Sequence, residues 1–526
     1  MPYAIERGRF GPSALLEIAP LSWWGDMSLI RDNGAIKTDA AQDWIVDEES
    51  KVGTVDLRRL RGAGVWRDGD AIVVNDGEKI VNPQGEHFSF DDWRSADGAE
   101  YIPSETRFGD MTGPEADDAE GRALAALFCA QKFARAMDPV AALGWALIAP
   151  FGGLLKWRPH LWITGRRGTG KSQIILDPMI APLCGDFAYQ GTGRSTEAGL
   201  RRSINMTARP VILDEFDIRS GGDEKRMDGI VKLARNASGD SSAVVTMADG
   251  SSGTVQYIVR SCFCFASVNM PEQDAAIESR IVRVEKLAVD NLEQVMEKNA
   301  RECSRVMADP ARYRRRVFRA LPRILSDIAA VHDRLLSFLG DARETDLMAP
   351  LLCAAWAVQS SESIMEAAGT AWCTELLDDL STLHAERVED EDRVIEHICS
   401  HRVRLEGGKE KAVAELLRDA DTLSGEGDAT DVLSRHGMKL TNAENGDGRV
   451  HRVLAIATHA EPLSAIMEGT PYGSGYDAQL QRNKLAIGVK CVRLAIGVRR
   501  CRLIDWAGFQ EKYLGGTQGR LEGVDG

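Results

Sequence analysis

The sequence lacks any cysteine arrangement that would bind a metal or build a disulfide framework. Its ten cysteines are scattered among nine histidines, with no C-x₂-C pairing and no Cys/His cluster at zinc-ligand spacing, so neither a structural metal nor disulfides are expected. Cys262 and Cys264, the one close pair, lie in an apolar run and read as small core residues. There is no unbroken run of about eighteen apolar residues to cross a membrane. The start, Met1-Pro2-Tyr3-Ala4-Ile5-Glu6-Arg7, lacks the basic-then-apolar order of a signal peptide. No membrane partner is expected, and a cytoplasmic location is. Positive charge is also in deficit: the formal net charge of −15 argues against coating nucleic acid by bulk electrostatics. A local basic channel, repeated around a pore by a ring of subunits, is still allowed.

What is present is ordinary for a globular protein, 44% apolar and 27% charged residues. A chain of 526 residues exceeds one core and implies about three or four domains. The chain is organised around one stretch. Leu161-Trp162-Ile163-Thr164 reads as a buried strand and runs into G-x-x-x-x-G-K-S, formed by Gly165, Arg166, Arg167, Gly168, Thr169, Gly170, Lys171 and Ser172. Gln173 then opens a helix and closes the candidate binding stretch. The glycines let the backbone turn its N–H groups inward on phosphate oxygens, and the helix adds the positive end of its dipole. Lys171 would reach the β- and γ-phosphates, and Ser172 would hold Mg²⁺.

Taken in order, residues 1–118 mix short β-like runs with turn signals. Ala71-Ile72-Val73-Val74 before Asn75-Asp76-Gly77, then Lys79-Ile80-Val81, read as a hairpin in a small β-rich module. Asp91-Asp92 reads as a cap or turn, and paired carboxylates on neighbouring strands, which a primase or nuclease needs, are not seen. Pro114 to Asp118 reads as a linker. Residues 119–160 turn helical, with Asp138-Pro139 as N-cap and first-turn proline of a second apolar helix. After the loop helix, Gly191 to Gly199 is a turn feeding a helix that carries Arg201 and Arg202. Pro210-Val211-Ile212-Leu213-Asp214-Glu215 is a buried strand whose end presents two acids, the Walker B arrangement. Asp214 would hold Mg²⁺ through water, and Glu215 would orient and deprotonate the attacking water. Two strands around Asp249-Gly250 follow, then a strand ending in Asn269, a polar tip able to sense the γ-phosphate or position water. Glu278-Ser279-Arg280 precedes the strand Ile281-Val282-Arg283-Val284.

This order of parts resembles the superfamily 3 helicases within the AAA+ ATPases. More closely it is similar to the helicase portion of phage and prophage primase-helicases, through Trp157 to Gly165, Ser195 to Gly199 and Phe265 to Val268. The resemblance is strongest over about residues 140 to 290. It implies an α/β fold with a P-loop AAA+ (ASCE) core on a parallel sheet at 161–290, using ATP and Mg²⁺. It makes Asn269 the sensor asparagine and Arg280 the arginine finger that enters a neighbouring subunit's site. The hairpin becomes the pore loop that grips single-stranded nucleic acid, yet Met247 to Thr254 carries no basic residue.

Residues 291–403 read as a helical bundle. Its run Arg312, Arg314, Arg315, Arg316, Arg319, Arg323 faces a pore or DNA, or else is a solvated helix face, and the acidic run Glu386 to Asp392 is solvated surface or a boundary. Residues 404–526 read as α+β: two short helices and a strand pair suit a winged helix. Leu485-Ala486-Ile487-Gly488-Val489 recurs within Arg493 to Val498 and reads as two similar strands, with Lys484, Lys490, Arg493, Arg499 and Arg500 on an exposed edge. The leading expectation is a ring-forming, hexameric ATPase that moves single-stranded DNA in phage or mobile-element replication, in the bacterial host cytoplasm if phage-encoded. A separate primase polypeptide is a candidate partner. The alternatives are a non-translocating AAA+ loader or remodeller, which the bare hairpin tip and acidic charge favour, and a nucleotide-gated DNA-binding scaffold.

Overall fold

Short apolar runs that stop at a glycine or an acid build the central sheet. Its strands are β1 (His160–Thr164), β2 (Tyr189–Thr192), β3 (Val211–Asp214), β4 (Phe263–Ala266) and β5 (Ile281–Glu285). A computed structural model describes residues 11–52, 56–82, 84–217, 221–240, 243–248, 254–268, 270, 275–385, 390–405, 408–422, 428–444, 450–468, 470 and 476–515. All neighbouring pairs in the sheet are parallel, in the order β5-β1-β4-β3-β2. Phe265 lies opposite Trp162, and Cys264 opposite Ile212. β1, β3 and β4 are covered on both faces, which is why they read as continuous apolar runs. β2 is an edge strand whose residues alternate between half-buried and exposed, so no apolar run marks it, and the sequence showed only the turn after it.

Beneath the C-terminal end of the sheet, the indole of Trp162 packs on Phe265 and Phe216 at centroid distances of 4.7 and 5.6 Å. Its Nε1 donates to Ser267 Oγ at 2.7 Å. At the other end His160 is fully buried. Its Nδ1 accepts from Phe263 N at 3.1 Å, so Nε2 carries the proton and donates to Ala234 O at 2.7 Å. Burial, the largest cause, pushes its pKa down to about 3.

Helices Asp118–Cys129, Met137–Ile148, Ala311–Leu339 and Ala342–Gln359 pack together beside this sheet. The backbones approach closely: a Cβ on Gly144 would stand 2.2 Å from Leu351 O. The stretch Met137–Leu154 is apolar enough to cross a membrane, but 94% of it is buried inside the protein. Asp138 is not the N-cap of its helix, as expected from the sequence; that helix begins at Met137, after Ala136. Asp138 is buried instead, accepting from Glu285 N at 3.0 Å and from Arg135 Nε at 3.1 Å, and so ties the helix to the end of β5.

Much of the arginine run is folded against the protein rather than solvated, although Arg319 stays exposed. Arg316 is buried and donates to Ala357 O, Ala116 O and Asp118. Arg315 and Arg319 reach the carbonyls of Asp110, Pro114 and Gly113, while Arg314 reaches Pro182 O and Leu183 O. The segment read as a linker is thus pinned by guanidinium groups. Long-range carbonyl partners of this kind leave no trace in a local pattern.

The N-terminal module carries the expected hairpin, within an antiparallel sheet of Gly64–Asp68, Ala71–Asn75, Ile80–Val81 and His87–Phe88. It is less β-rich than expected. Helices Pro12–Ile18, Leu21–Asp26 and Thr38–Val52 precede the sheet and close around Trp24, whose ring meets Trp23 and Trp44 edge-on.

Contacts divide the chain into two units, 1–270 with 279–380, and 271–278 with 381–526. The second unit has its own core. Helices Asp390–Ser400, Val413–Thr422 and Asp428–Arg435 accompany a four-stranded antiparallel sheet of Met438–Glu444, Val450–Ala457, Gly497–Asp505 and Ala486–Leu494, in that spatial order. The internal repeat does not give two similar strands. Its first copy lies in Ala486–Leu494, but the second makes the end of that strand, the turn at Ala495-Ile496 and the start of the next. The glycines decide this: Gly488 marks a register shift in the ladder, whereas Gly497, at φ +100°, leaves a turn.

Candidate active site

Because the strands are parallel, the loop after β1 and the acids after β3 emerge at the same edge of the sheet. β4 stands between them, its C-terminal end at the same edge. Chain order reverses there, the place where open α/β sheets present a crevice to ligands. Gly165 has φ +152°, and a Cβ would stand 2.4 Å from Lys286 O; Gly170, at φ +82°, would press on the Ile174 side chain at 2.4 Å. Nothing lies within 4 Å of a Cβ at Gly168, which faces open space beside exposed Arg166 and Arg167. Thr169 is buried and ties the turn by donating to Arg166 O at 3.0 Å.

Lys171 folds back over the loop, its Nζ donating to Gly165 O at 2.5 Å and Arg166 O at 3.2 Å. Burial lowers its pKa, against the charges of Asp217 and Asp214, which favour the ammonium form. Those two acids are therefore within electrostatic reach of the loop lysine. The helix that follows, Lys171–Ile180, is wound in wide i→i+5 turns before continuing as Ala181–Cys184. Pro178 explains part of this, since it offers no N–H to the carbonyl of Ile174. Asn299 fills the gap, donating to Ile174 O at 3.0 Å while accepting from Gln131 Nε2 at 2.8 Å.

Asp214 is half-buried, and its Oδ1 accepts from Glu215 N at 2.7 Å. Glu215 is exposed and holds a left-handed backbone, φ +50°, a conformation that costs a non-glycine residue about 1–2 kcal/mol. Its neighbours hold it there: Phe216 N donates to Ala266 O at 2.8 Å and Asp217 N to Glu215 O at 2.9 Å. On the other side Gly193 N donates to Asp214 O at 2.8 Å, and a Cβ on Gly193 would stand 2.3 Å from Glu215 O. Arg226 secures that glycine from the helix Gly221–Ala237, its Nε donating to Gly193 O at 2.8 Å. A cavity of about 400 Å³ opens here, lined by Glu215, Asp217, Arg194 and Arg226 among others.

Asp217 is absent from the residues singled out in the sequence. Its Oδ1 accepts from Val268 N at 2.7 Å, joining the end of β3 to the end of β4. The available signal was a third acid three residues after Asp214. Asp177, on the loop helix, is a second omission: burial raises its pKa, and the charge of Asp214 adds to the effect.

The residues fit a nucleoside triphosphate with Mg²⁺. The loop offers glycine backbone facing open space, one ammonium group, a half-buried Ser172 hydroxyl and the Asp214 carboxylate, with Gln173 exposed on the first helical turn. Arg280 stands at the opposite edge of the sheet. His160 N, at the start of β1, donates to Arg280 O, and Arg280 Nε donates to Ser238 Oγ at 3.1 Å. At ~3.3 Å per residue, the length of β1 separates it from the loop by ~15 Å. Asn269 and the hairpin tip 249–253 lie outside the described residues. The hairpin arms, Val244–Ala248 and Thr254–Ile258, are fully paired. Ile258 N donates to Asn205 Oδ1 at 2.9 Å, and Arg201 stacks over Tyr257 at 4.4 Å.

No protein-family model matches the sequence, and no curated protein matches it. Among solved structures the chain is similar to "SCCmec type IV Cch - active helicase", with TM-score 0.50 and 12% identity over 90% of this chain and 84% of that one. It also matches a structure of the "NrS-1 C terminal region", with TM-score 0.31 and 12% identity over 84% of this chain and 95% of that one. A "JCV Helicase" structure matches with TM-score 0.22 and 12% identity, over 53% of this chain and 63% of that one. The first likeness shows that the chain has a helicase-type fold.

Proposed function

We propose that this chain is an ATP-dependent DNA motor of the superfamily 3 type, a ring-forming helicase that draws single-stranded DNA through its centre during phage or mobile-element replication. The observation that carries the reading is that the loop with Lys171 and the acids ending β3 emerge at the same C-terminal edge of a parallel sheet, with the charges of Asp217 and Asp214 acting on Lys171. Lys171 would leave the carbonyls of Gly165 and Arg166 for phosphate oxygens, and the amides from Gly165 to Gln173 would cradle them. Ser172 and Asp214 would hold Mg²⁺, which neutralises charge on the β- and γ-phosphates. Glu215 would orient water and take its proton, and Asn269 would act as sensor. Arg280 lies too far along β1 to serve its own site, which supports a role at a neighbour's phosphates and hence a ring, hexameric by the resemblance.

A second reading, a non-translocating AAA+ loader or remodeller, is favoured by one feature: Met247 to Thr254 holds no basic residue. The discriminating experiment is ATP turnover with and without single-stranded DNA, on the wild type and on Glu215→Gln. Stimulation by DNA, abolished in Glu215→Gln, supports the motor. Turnover indifferent to DNA supports the remodeller. Absence of turnover in the wild type overturns both.

A further inference from the structure

A cavity of about 740 Å³ lies at the foot of the hairpin, far from the loop, between the N-terminal sheet and the helices Ala311–Leu339 and Ala342–Gln359. We propose that it is a binding site for a single nucleic-acid strand, with a backbone phosphate held between Arg61 and Arg260 and a base stacked on Trp157.

Arg61 and Arg260 both lie against the indole of buried Trp66, with guanidinium carbons 5.3 and 5.5 Å from its ring. Their hydrogen bonds go to backbone carbonyls: Arg61 Nη1 to Arg58 O at 2.6 Å, and Arg260 Nη2 to the same oxygen at 3.4 Å. Among the described residues, Arg260 Nη1 is buried with no partner, and neither guanidinium has a carboxylate within ion-pair distance. Burial and then the charge of Arg61 push the pKa of Arg260 down to about 10. Two like charges sharing one ring in a partly dry site are costly; Asp97, Asp240 and Asp68 offset part of the cost for Arg61 and Asp240 for Arg260, and an incoming anion would lower it further.

The nearest acids are already engaged. Asp240 is ion-paired with buried Arg158 at 2.8 Å, and Asp97 accepts from Ser95 Oγ and Ala99 N. On the far wall His332 stands between Asp333 and Asp346, at 3.4 and 3.3 Å. An anion is thus directed to the arginine side, where exposed Lys156 adds a third cation. Trp157 lines the same cavity with 41% of its surface exposed, and an open indole beside a phosphate hole is the pairing that single strands use. Arg260 lies two residues beyond Ile258, the last residue of the hairpin arm, so the site sits at the base of the hairpin.

The inference rests on the nucleic-acid reading, and the test separates the two. Anisotropy of a fluorescein-labelled oligothymidylate is followed on the full chain with a non-hydrolysable ATP analogue and Mg²⁺, across a salt series. Arg260→Ala is expected to weaken binding roughly tenfold and to flatten the salt slope by about 0.7 for the lost phosphate contact. Trp157→Ala is expected to weaken it roughly tenfold with the slope unchanged, since stacking releases no counterions. Should Arg260→Ala not fold, Lys156→Ala, on an exposed side chain, reads the same slope. A wild type that binds while all variants match it overturns this site and leaves the motor intact. A wild type that binds no strand overturns the motor reading and the site with it.

Discussion

Gly193→Ala is the sharpest perturbation of the proposed hydrolytic site, because it touches no side chain in it. The added Cβ would stand 2.3 Å from Glu215 O and 3.1 Å from both Glu215 C and Phe216 Cα. All three are backbone atoms, so no rotamer change relieves the clash. Restoring ordinary contact requires a displacement of about 1 Å, and the segment that moves is Asp214 to Phe216. A misplacement of about 1 Å in a reacting constellation costs roughly 10²-fold in rate. Nucleotide binding measured without Mg²⁺, which leaves out the Asp214 contact, rests on the loop after β1 and is expected to stay within about twofold of wild type. Steady-state turnover and titration with a fluorescent nucleotide separate the two effects. Gly229→Ala is the control: it lies in the helix Gly221–Ala237, meets Glu197 only at 3.5 Å, and trades a flexible helical residue for a rigid one, a gain of about 0.5–1 kcal/mol. Wild-type turnover in Gly193→Ala would refute the claim that the backbone geometry of Glu215 sets the rate.

Other consequences follow from the same geometry. Asn299→Leu removes the buried hydrogen bond that Asn299 donates to Ile174 O, and hydrogen exchange over Lys171–Cys184 is expected to show local opening eased by about 1 kcal/mol. His160 is buried neutral, with a pKa near 3, so the unfolded chain binds the extra proton between about pH 6.5 and 3. Its stabilisation is complete above that window and falls by about 1.4 kcal/mol per pH unit within it; in urea titrations at pH 4 and 7, His160→Gln should flatten the difference. Arg280→Ala and Lys171→Ala should each be inactive alone, and mixing them should restore part of the turnover, because a mixed interface joins one intact loop to one intact arginine. No recovery on mixing would exclude a role for Arg280 in trans.

The loop and the acid pair are legible in the sequence because backbone chemistry imposes their residue types. Glycine is required at Gly165, where a Cβ meets a carbonyl, and a strand buried on both faces must end before it can show two acids. What escapes the sequence depends on distant partners. Tyr189–Thr192 is an edge strand with no apolar signature, found only by its pairing with β3. Arg316 resembles its neighbours in a charged run until its three acceptors, all distant from it in the chain, are seen around it. Asp138 reads as a cap because Asp-Pro often is one, yet the helix starts at Met137, two residues before the position that cap implies, and the Asp138 carboxylate serves β5. Asp217 and Arg226 act through backbone groups of other segments, and local spacing is blind to those.

The central claim is that nucleotide hydrolysis at Lys171 and Glu215 moves this chain along a DNA strand. It is tested most directly by strand displacement on a forked duplex with a labelled strand, started with ATP and Mg²⁺, on the wild type and on Glu215→Gln at matched DNA occupancy. The account predicts displacement that needs hydrolysable ATP and is lost in Glu215→Gln while that variant stays bound to the fork. A wild type that hydrolyses ATP on the fork and releases no strand would contradict the motor and leave the remodeller in its place.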